Sequence, residues 1–359
     1  MTKADKDYET VVLSLSRLSF LTLGEKLNLL KKLDSLCDLV VLSIEDISKI
    51  IGRKSKTTLK VKTAVKEAQR DALVLKKLGI SWVLILDREY PDLLREISDP
   101  PFILFYRGDI GILSKKCVSV VGTRKITGEA CKAAVQFSKD ACLDGTNVIS
   151  GLAFGVDKKA HEGSLEAYYE ALDKEAVGKT VAVLPGGIDA IIPGSHKRLA
   201  AKILESGGLL LSEYPPVTDA KPYCFVERNR IIAGLSLSTV VIQAPVGSGA
   251  MITADFAAGY NREVMFHKAA FCESSRRINA FVKNQLVYQA KKNKGGLNKL
   301  KKDPELFVND GAPVIENYAD YLKCLVEDPA ERICRKNKEV QLELFDSTNS
   351  DELEEGFYG

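Results

Sequence analysis

Residues 146–157 read TNVISGLAFGVD, and the next fifteen read KKAHEGSLEAYYEAL. The first stretch is an apolar strand that leaves through glycine. The second has the apolar spacing of a helix. The unit recurs on both sides. CVSVVGTR (117–124) leads into EACKAAVQFSKDACLDG (129–145), and TVAVLPGGID (180–189) leads toward KRLAAKILESGG (197–208). LLLSEYPP (209–216) precedes RNRIIAGLS (228–236), STVVIQAPVGSG (238–249) precedes ITADFAAGYNR (252–262), and NREVMFH (261–267) reads as one more strand. Apolar strands alternating with helices predict a parallel sheet covered on both faces. The expected class is α/β, a Rossmann-like doubly wound domain over roughly residues 115–270.

Upstream, LSRLSFLTLGEKLNLLKKLDSL (15–36) and VLSIEDISKIIG (41–52) space their apolar residues as amphipathic helices. VLIL (83–86) and FILFY (102–106) read as strands punctuated by Pro91, Pro100 and Pro101. We expect a small helical domain over 1–80 and the extended sheet domain over 81–325, with a basic insertion at about 272–305. An acidic, flexible tail is expected over 326–359. From Ser274 to Lys302 the chain carries nine Lys and Arg and no acid, whereas Asp351, Glu352, Glu354 and Glu355 crowd its end. The basic run suits either a phosphate footprint or a solvated helix and loop.

An apolar content of 45% excludes global disorder, and the net charge is +3. Eight scattered cysteines without metal spacing read as reduced residues of a cytoplasmic protein. His161, His196 and His267 lie far apart in sequence, so no His-rich metal site is expected. GxGxxG and GxxxxGK[ST] are absent, which lowers hydride transfer and NTP hydrolysis, and no cofactor is expected.

In an open parallel sheet, ligands gather outside the carboxyl ends of the strands. Six exits there carry small residues, and glycine lets a backbone approach a ligand while helix amino ends offer N–H groups to an anion. The candidate DNA-phosphate contacts are Gly122, Thr123, Arg124, Ser150, Gly151, Gly155, Gly186, Gly187, Lys197, Arg198, Arg228, Asn229, Arg230, Ser248, Gly249 and Thr253. One of Arg228 and Arg230 is expected to pair inward with Glu213 or Asp157. Solvated charge competes for Lys197 and Arg198, and a helix cap or core role competes for Thr253. Asp157, His161 and Glu213 are expected in a structural polar network, because no nucleophile accompanies them. Phe154, Tyr214 and Phe225 are candidate base platforms, with core packing as the plain alternative.

Read in order, VSVVGTRKIT, VISGLAFGVDKKAH, TVAVLPGGID, LLSEYPP, FVERNRIIAGLS and SGAMITADFAAGYNREV resemble the DNA-processing protein A family (DprA, or Smf) over residues 118–264. The helical start resembles that family's sterile-alpha-motif-like (SAM-like) domain. The resemblance implies a non-catalytic single-stranded DNA-binding recombination mediator that protects incoming strands and loads RecA in natural transformation and competence, working as a homodimer. Two departures stand out: VMFHKAAFCESSRR (264–277) replaces the family's Pro-Gly turn, and no winged-helix domain is visible at the carboxyl end. A rival comes from the cytokinin-activating nucleoside-monophosphate phosphoribohydrolases (LOG, lysine decarboxylase-like), which use PGGxGTxxE. Here Ile188-Asp189 follow Gly187, and the GT pair and glutamate are missing. QLELF (341–345) resembles the peptide that docks on the DNA polymerase sliding clamp, through Gln341, Leu342, Leu344 and Phe345.

Overall fold

The computed structural model describes residues 6–53, 61–292 and 297–328. Five helices come first: α1 (Lys6–Arg17), α2 (Leu23–Lys32), α3 (Leu36–Val41), α4 (Ile44–Ile51) and α5 (Val61–Leu78). Local chemistry sets their ends. Thr22, Ser35 and Ser43 each accept a backbone N–H three residues on, and Glu25, Asp38 and Asp46 return the bond as capping boxes. Gly52, at φ 74°, closes α4 in the left-handed region.

These helices share a core with the sheet. Val11, Leu15 and Leu29 belong to one apolar cluster with Phe105, Leu184 and Ile203. Arg17 fastens the contact: its Nε lies 2.5 Å from Asp71, and its Nη2 donates to the Pro216 carbonyl at 2.9 Å.

The sheet begins with an antiparallel pair, β1 (Ser81–Leu84) and β2 (Ile103–Arg107), separated by α6 (Asp92–Arg95). Alternating units follow: β3 (Cys117–Gly122), α7 (Gly128–Leu143), β4 (Asn147–Ser150), α8 (Val156–Glu170), β5 (Thr180–Val183), α9 (Lys197–Glu205) and β6 (Leu209–Ser212). Then come α10 (Pro222–Gly234), β7 (Ser238–Gln243), α11 (Gly249–Gly259) and β8 (Glu263–His267). With a last strand β9 (Val314–Ile315), the order is β1-β2-β6-β5-β4-β3-β7-β8-β9, with β2 antiparallel to β6 and every pair from β6 onward parallel. The expected doubly wound α/β sheet is present. Strands β4 to β7 are buried along their whole length, as two covering layers require.

The basic segment forms a long crossover. It contains α12 (Glu273–Lys292), α13 (Leu297–Leu300) and α14 (Pro304–Asn309), and it delivers the chain to β9 (Val314–Ile315) and α15 (Tyr318–Val326). Tyr318 and Tyr321 stack and set their rings edge-on to Phe137 of α7, which anchors this last helix. No helix of the described residues is long and apolar enough to cross a membrane. QLELF and the acidic tail lie outside the described residues.

Candidate nucleic-acid interface

Leaving β3, the chain works outward through β4, β5 and β6; later it returns to the other side of β3 with β7 and β8. That reversal opens a crevice between the carboxyl ends of β3 and β7, where no connection crosses. A cleft of about 350 Å³ sits there, bordered by the β3 exit, α10 and the amino end of α11.

Arg124 stands exposed at its mouth. The guanidinium carbon lies 5.1 Å from the centre of the Phe225 ring, a cation–π contact that holds it over the opening. Arg124 meets no carboxylate among the described residues. Opposite, α11 begins at Gly249 without a side-chain cap, so its first N–H groups remain available to an anion. A Cβ on Gly249 would find its nearest neighbour, Asn229 Nδ2, at 4.0 Å; Asn229 itself donates to the Gly249 carbonyl at 3.1 Å. The Ser248 hydroxyl is buried at this end and makes no hydrogen bond. Thr253 bonds back to the Gly249 carbonyl at 3.3 Å, so its side chain serves the helix while its surface lines the cleft.

One arginine of the Arg228/Arg230 pair was expected to turn inward, and Arg230 meets Glu213 as expected; Arg228 departs from expectation by turning inward too. Two residues of a helix lie about 200° apart, so the pair cannot face one ligand. Arg228 is 3% exposed and forms the floor of the cleft, donating from Nη1 to the Val183 carbonyl at 2.8 Å. Burial pulls its pKa down to about 10, against the favourable charge of Asp157. On the other flank, Arg230 pairs with Glu213 and lies 3.3 Å from Asp99. Burial pushes the Glu213 carboxyl up to about 7 despite that partner.

Most of the expected cradle glycines make room for protein instead of ligand. A Cβ on Gly151 would sit 1.7 Å from Arg228 Nη1, and one on Gly122 would sit 2.3 Å from the Val156 side chain. Gly155, at φ 78°, lets α8 start within 2.1 Å of the Thr123 carbonyl, measured from its missing Cβ. Gly186 and Gly187 are buried under the segment after β6: Gly187 N–H donates to the Thr218 carbonyl at 2.9 Å, and Asp189 accepts from Val217 N–H at 2.9 Å. The PGGID loop is therefore a latch closed by its own chain, which leaves no phosphate cradle there for the phosphoribohydrolase chemistry. Ser150 is likewise internal, donating to the Val120 carbonyl at 2.7 Å.

Lys197 and Arg198 are exposed at the start of α9, but they border other hollows, Lys197 beside Asp189 and Arg198 beside Tyr169. His161 is fully buried, with Nδ1 2.7 Å from the Thr180 hydroxyl; burial pushes its pKa down to about 3, so it is neutral. Asp157 accepts from Ala153 N–H at 3.3 Å, and burial raises its pKa. Phe154 is 50% exposed, its ring set edge-on to His196 with centroids 4.7 Å apart. His196 in turn bonds the carbonyl of Leu152, a non-glycine residue held at φ 58°. Tyr214 is tied down through its hydroxyl to Glu227 at 2.7 Å.

Gln243 is a residue that motif reading missed. It ends β7, its backbone carbonyl accepts from Thr123 N–H at 2.6 Å, and its side-chain oxygen accepts from Thr127 N–H at 2.9 Å. Its amide nitrogen donates to the Ser275 hydroxyl at 2.8 Å. One residue thus joins the β3 exit through its backbone and the starts of α7 and α12 through its side chain. The available signal was a lone amide closing the apolar run STVVIQ.

Residues 81–295 match the family described as DNA recombination-mediator protein A. Protein Smf of Borreliella burgdorferi is 30% identical over 261 residues, covering 73% of this chain and 80% of that protein. DNA processing protein DprA of Bacillus subtilis is 37% identical over 187 residues, 52% of this chain and 60% of its own length. Among solved structures, DNA processing protein A of Streptococcus pneumoniae aligns with a TM-score of 0.63 at 28% identity, over 89% of this chain and 98% of that one. The Helicobacter pylori protein shares the fold at 24% identity, with a TM-score of 0.52 over 69% of this chain and 95% of that one. The family match spans the sheet from β1 to β8, the switch-point cleft and all of α12, and the chain belongs to the DNA recombination-mediator protein A family.

Proposed function

We propose that the switch-point cleft holds the backbone of single-stranded DNA and that the chain acts as a recombination mediator without breaking bonds. The observation that carries this reading is Arg124, exposed over Phe225 and facing the free amino end of α11. A guanidinium and a row of backbone N–H groups converging on one opening suit a phosphodiester. Phe225 and Phe154 offer ring faces or edges nearby, as strand binding without sequence preference requires. The Helicobacter pylori relative binds single-stranded DNA. Shielding of incoming strands, RecA loading, a homodimer, a SAM-like role for the first helices and clamp docking through QLELF belong to the same proposal.

The test is fluorescence anisotropy of a labelled oligothymidylate against the full chain across a salt series. Affinity is expected to fall steeply with salt, and Arg124→Ala is expected to weaken binding about tenfold and to reduce the salt slope by about one. Salt-independent binding, or an unchanged slope in the variant, defeats the reading. Release of free base from a nucleoside monophosphate would favour the phosphoribohydrolase instead.

A further inference from the structure

The long crossover helix α12 has a face that the cleft does not use. Ser275, Asn279, Val282 and Leu286 recur at i, i+4, i+7 and i+11, and they are the buried or half-buried positions that seat the helix on the body. About half a turn round, Arg277, Phe281, Asn284, Tyr288 and Lys291 line up along solvent, every one of them exposed. Phe281 is 64% exposed and Tyr288 61%. A phenyl ring as exposed as that of Phe281 is costly to leave in water without a use. Arg277 pairs with Glu273 one turn back, whereas Arg276, Lys291, Lys299 and Lys301 of the crossover are exposed and meet no carboxylate among the described residues.

The helix is also continuous with the cleft. Its first turn is bonded to the end of β7 through Ser275 and Gln243 at 2.8 Å. One turn on, Asn279 Oδ1 accepts from Val246 N–H at 2.7 Å. Val246 lies in the short loop that leads to the free end of α11. The second half of the crossover holds the same loop, since Gly247 N–H donates to the Lys302 carbonyl at 2.9 Å.

We propose that the outward stripe of α12 is a second binding track, taking the nucleotides of a single strand that leaves the switch-point cleft. Phe281 and Tyr288 stack on bases, and Arg277 and Lys291 meet phosphates. The two rings are seven residues apart, about 10 Å along the axis. Two rings flanked by cations on one line match the combination by which proteins follow an unpaired strand. This inference rests on the reading of the cleft above.

The experiment compares the full chain with Phe281→Ala/Tyr288→Ala on oligothymidylates of about six and about twenty-five nucleotides, one able to fill the cleft alone and one able to reach the helix. The gain in affinity from short to long strand is expected to fall about tenfold or more in the variant. Phe281→Trp supplies a second readout: the introduced indole is expected to be quenched by the long strand and little by the short one. An equal length gain in wild type and variant, with unchanged indole emission, overturns the track while leaving the cleft reading intact. A changed sedimentation mass with an unaltered length gain makes the stripe a self-association face, and binding that requires anionic vesicles makes it a membrane face; each overturns the proposal. Binding of the long strand alone retires the cleft reading and keeps the track, whereas binding of neither length overturns both.

Discussion

The exits of β3 and β5 look alike in sequence and end differently. Gly122-Thr123-Arg124 opens onto solvent at the reversal of the sheet, with a side chain free to reach outward. Pro185-Gly186-Gly187 is covered by the chain that follows β6, which supplies the Thr218 and Pro215 carbonyls where an anion would otherwise bind. The difference lies in topology. Connections run over the β5 exit, whereas at the β3–β7 boundary they diverge and leave a gap. A glycine-rich turn thus marks close approach of something, and the chain's own path decides whether that something is a ligand or itself.

The largest expected effect comes from breaking the buried floor of the open site. Arg228→Ala removes the bond to Val183 and leaves Asp157 buried without its cation. We expect a loss of about 3–5 kcal/mol in urea denaturation; a smaller change would show that the floor relaxes, and the contrast with the exposed Arg124 would weaken. Next is a pair of matched methyl additions. Gly187→Ala pushes a Cβ toward Pro215 O at 3.0 Å and Asp189 Oδ1 at 2.5 Å. It is expected to cost about 1–3 kcal/mol of stability and to leave strand affinity unchanged. Gly249→Ala meets open space. It should spare stability and weaken strand binding by about 1 kcal/mol, the worth of one backbone hydrogen bond. Reversed outcomes would exchange the roles of the two exits.

The most gradual effect is a slope. His161 is held neutral down to about pH 3 in the folded state, below its unfolded pKa of about 6.5. Its contribution is complete above pH 6.5 and is lost as pH falls, by about 1.4 kcal/mol per unit. Glu213 acts in the opposite sense between its unfolded value of about 4.5 and about 7, because the folded state takes up the proton there. Comparing wild type with His161→Gln isolates the histidine: the wild type should lose stability relative to the variant as pH falls from 6.5 to 5. Parallel curves would place the imidazole in contact with water.

Much of this architecture was readable in advance. The apolar runs at 117–122, 147–150, 180–183, 209–212, 238–243 and 263–267 all became strands. Periodicity reports burial, and each of these strands lies mostly inside. Side-chain direction was harder. Arg228 and Arg230 were both phosphate candidates, with one expected to pair inward, because sequence spacing says nothing of which flank of α10 packs; their angular separation already forbade a shared target. Gly151 could not be understood before Arg228, since the atom filling its space comes from a helix more than seventy residues later. The role of α12 was hidden for another reason. Its seating residues, Ser275 and Asn279, are polar, so the usual apolar stripe that flags a docked face is interrupted.

The path from β8 to β9 has a practical consequence. Parallel neighbours need a long crossover, and here the return strand pairs through two residues, Val314 and Ile315, after three helices have been spliced in. That long connection is a candidate graft point: sequence exchanged within it, away from the residues that hold Val246 and Gly247, is expected to leave the order of the layers beneath unchanged. A reporter domain or dye placed there would lie beside the proposed strand path and report its occupancy.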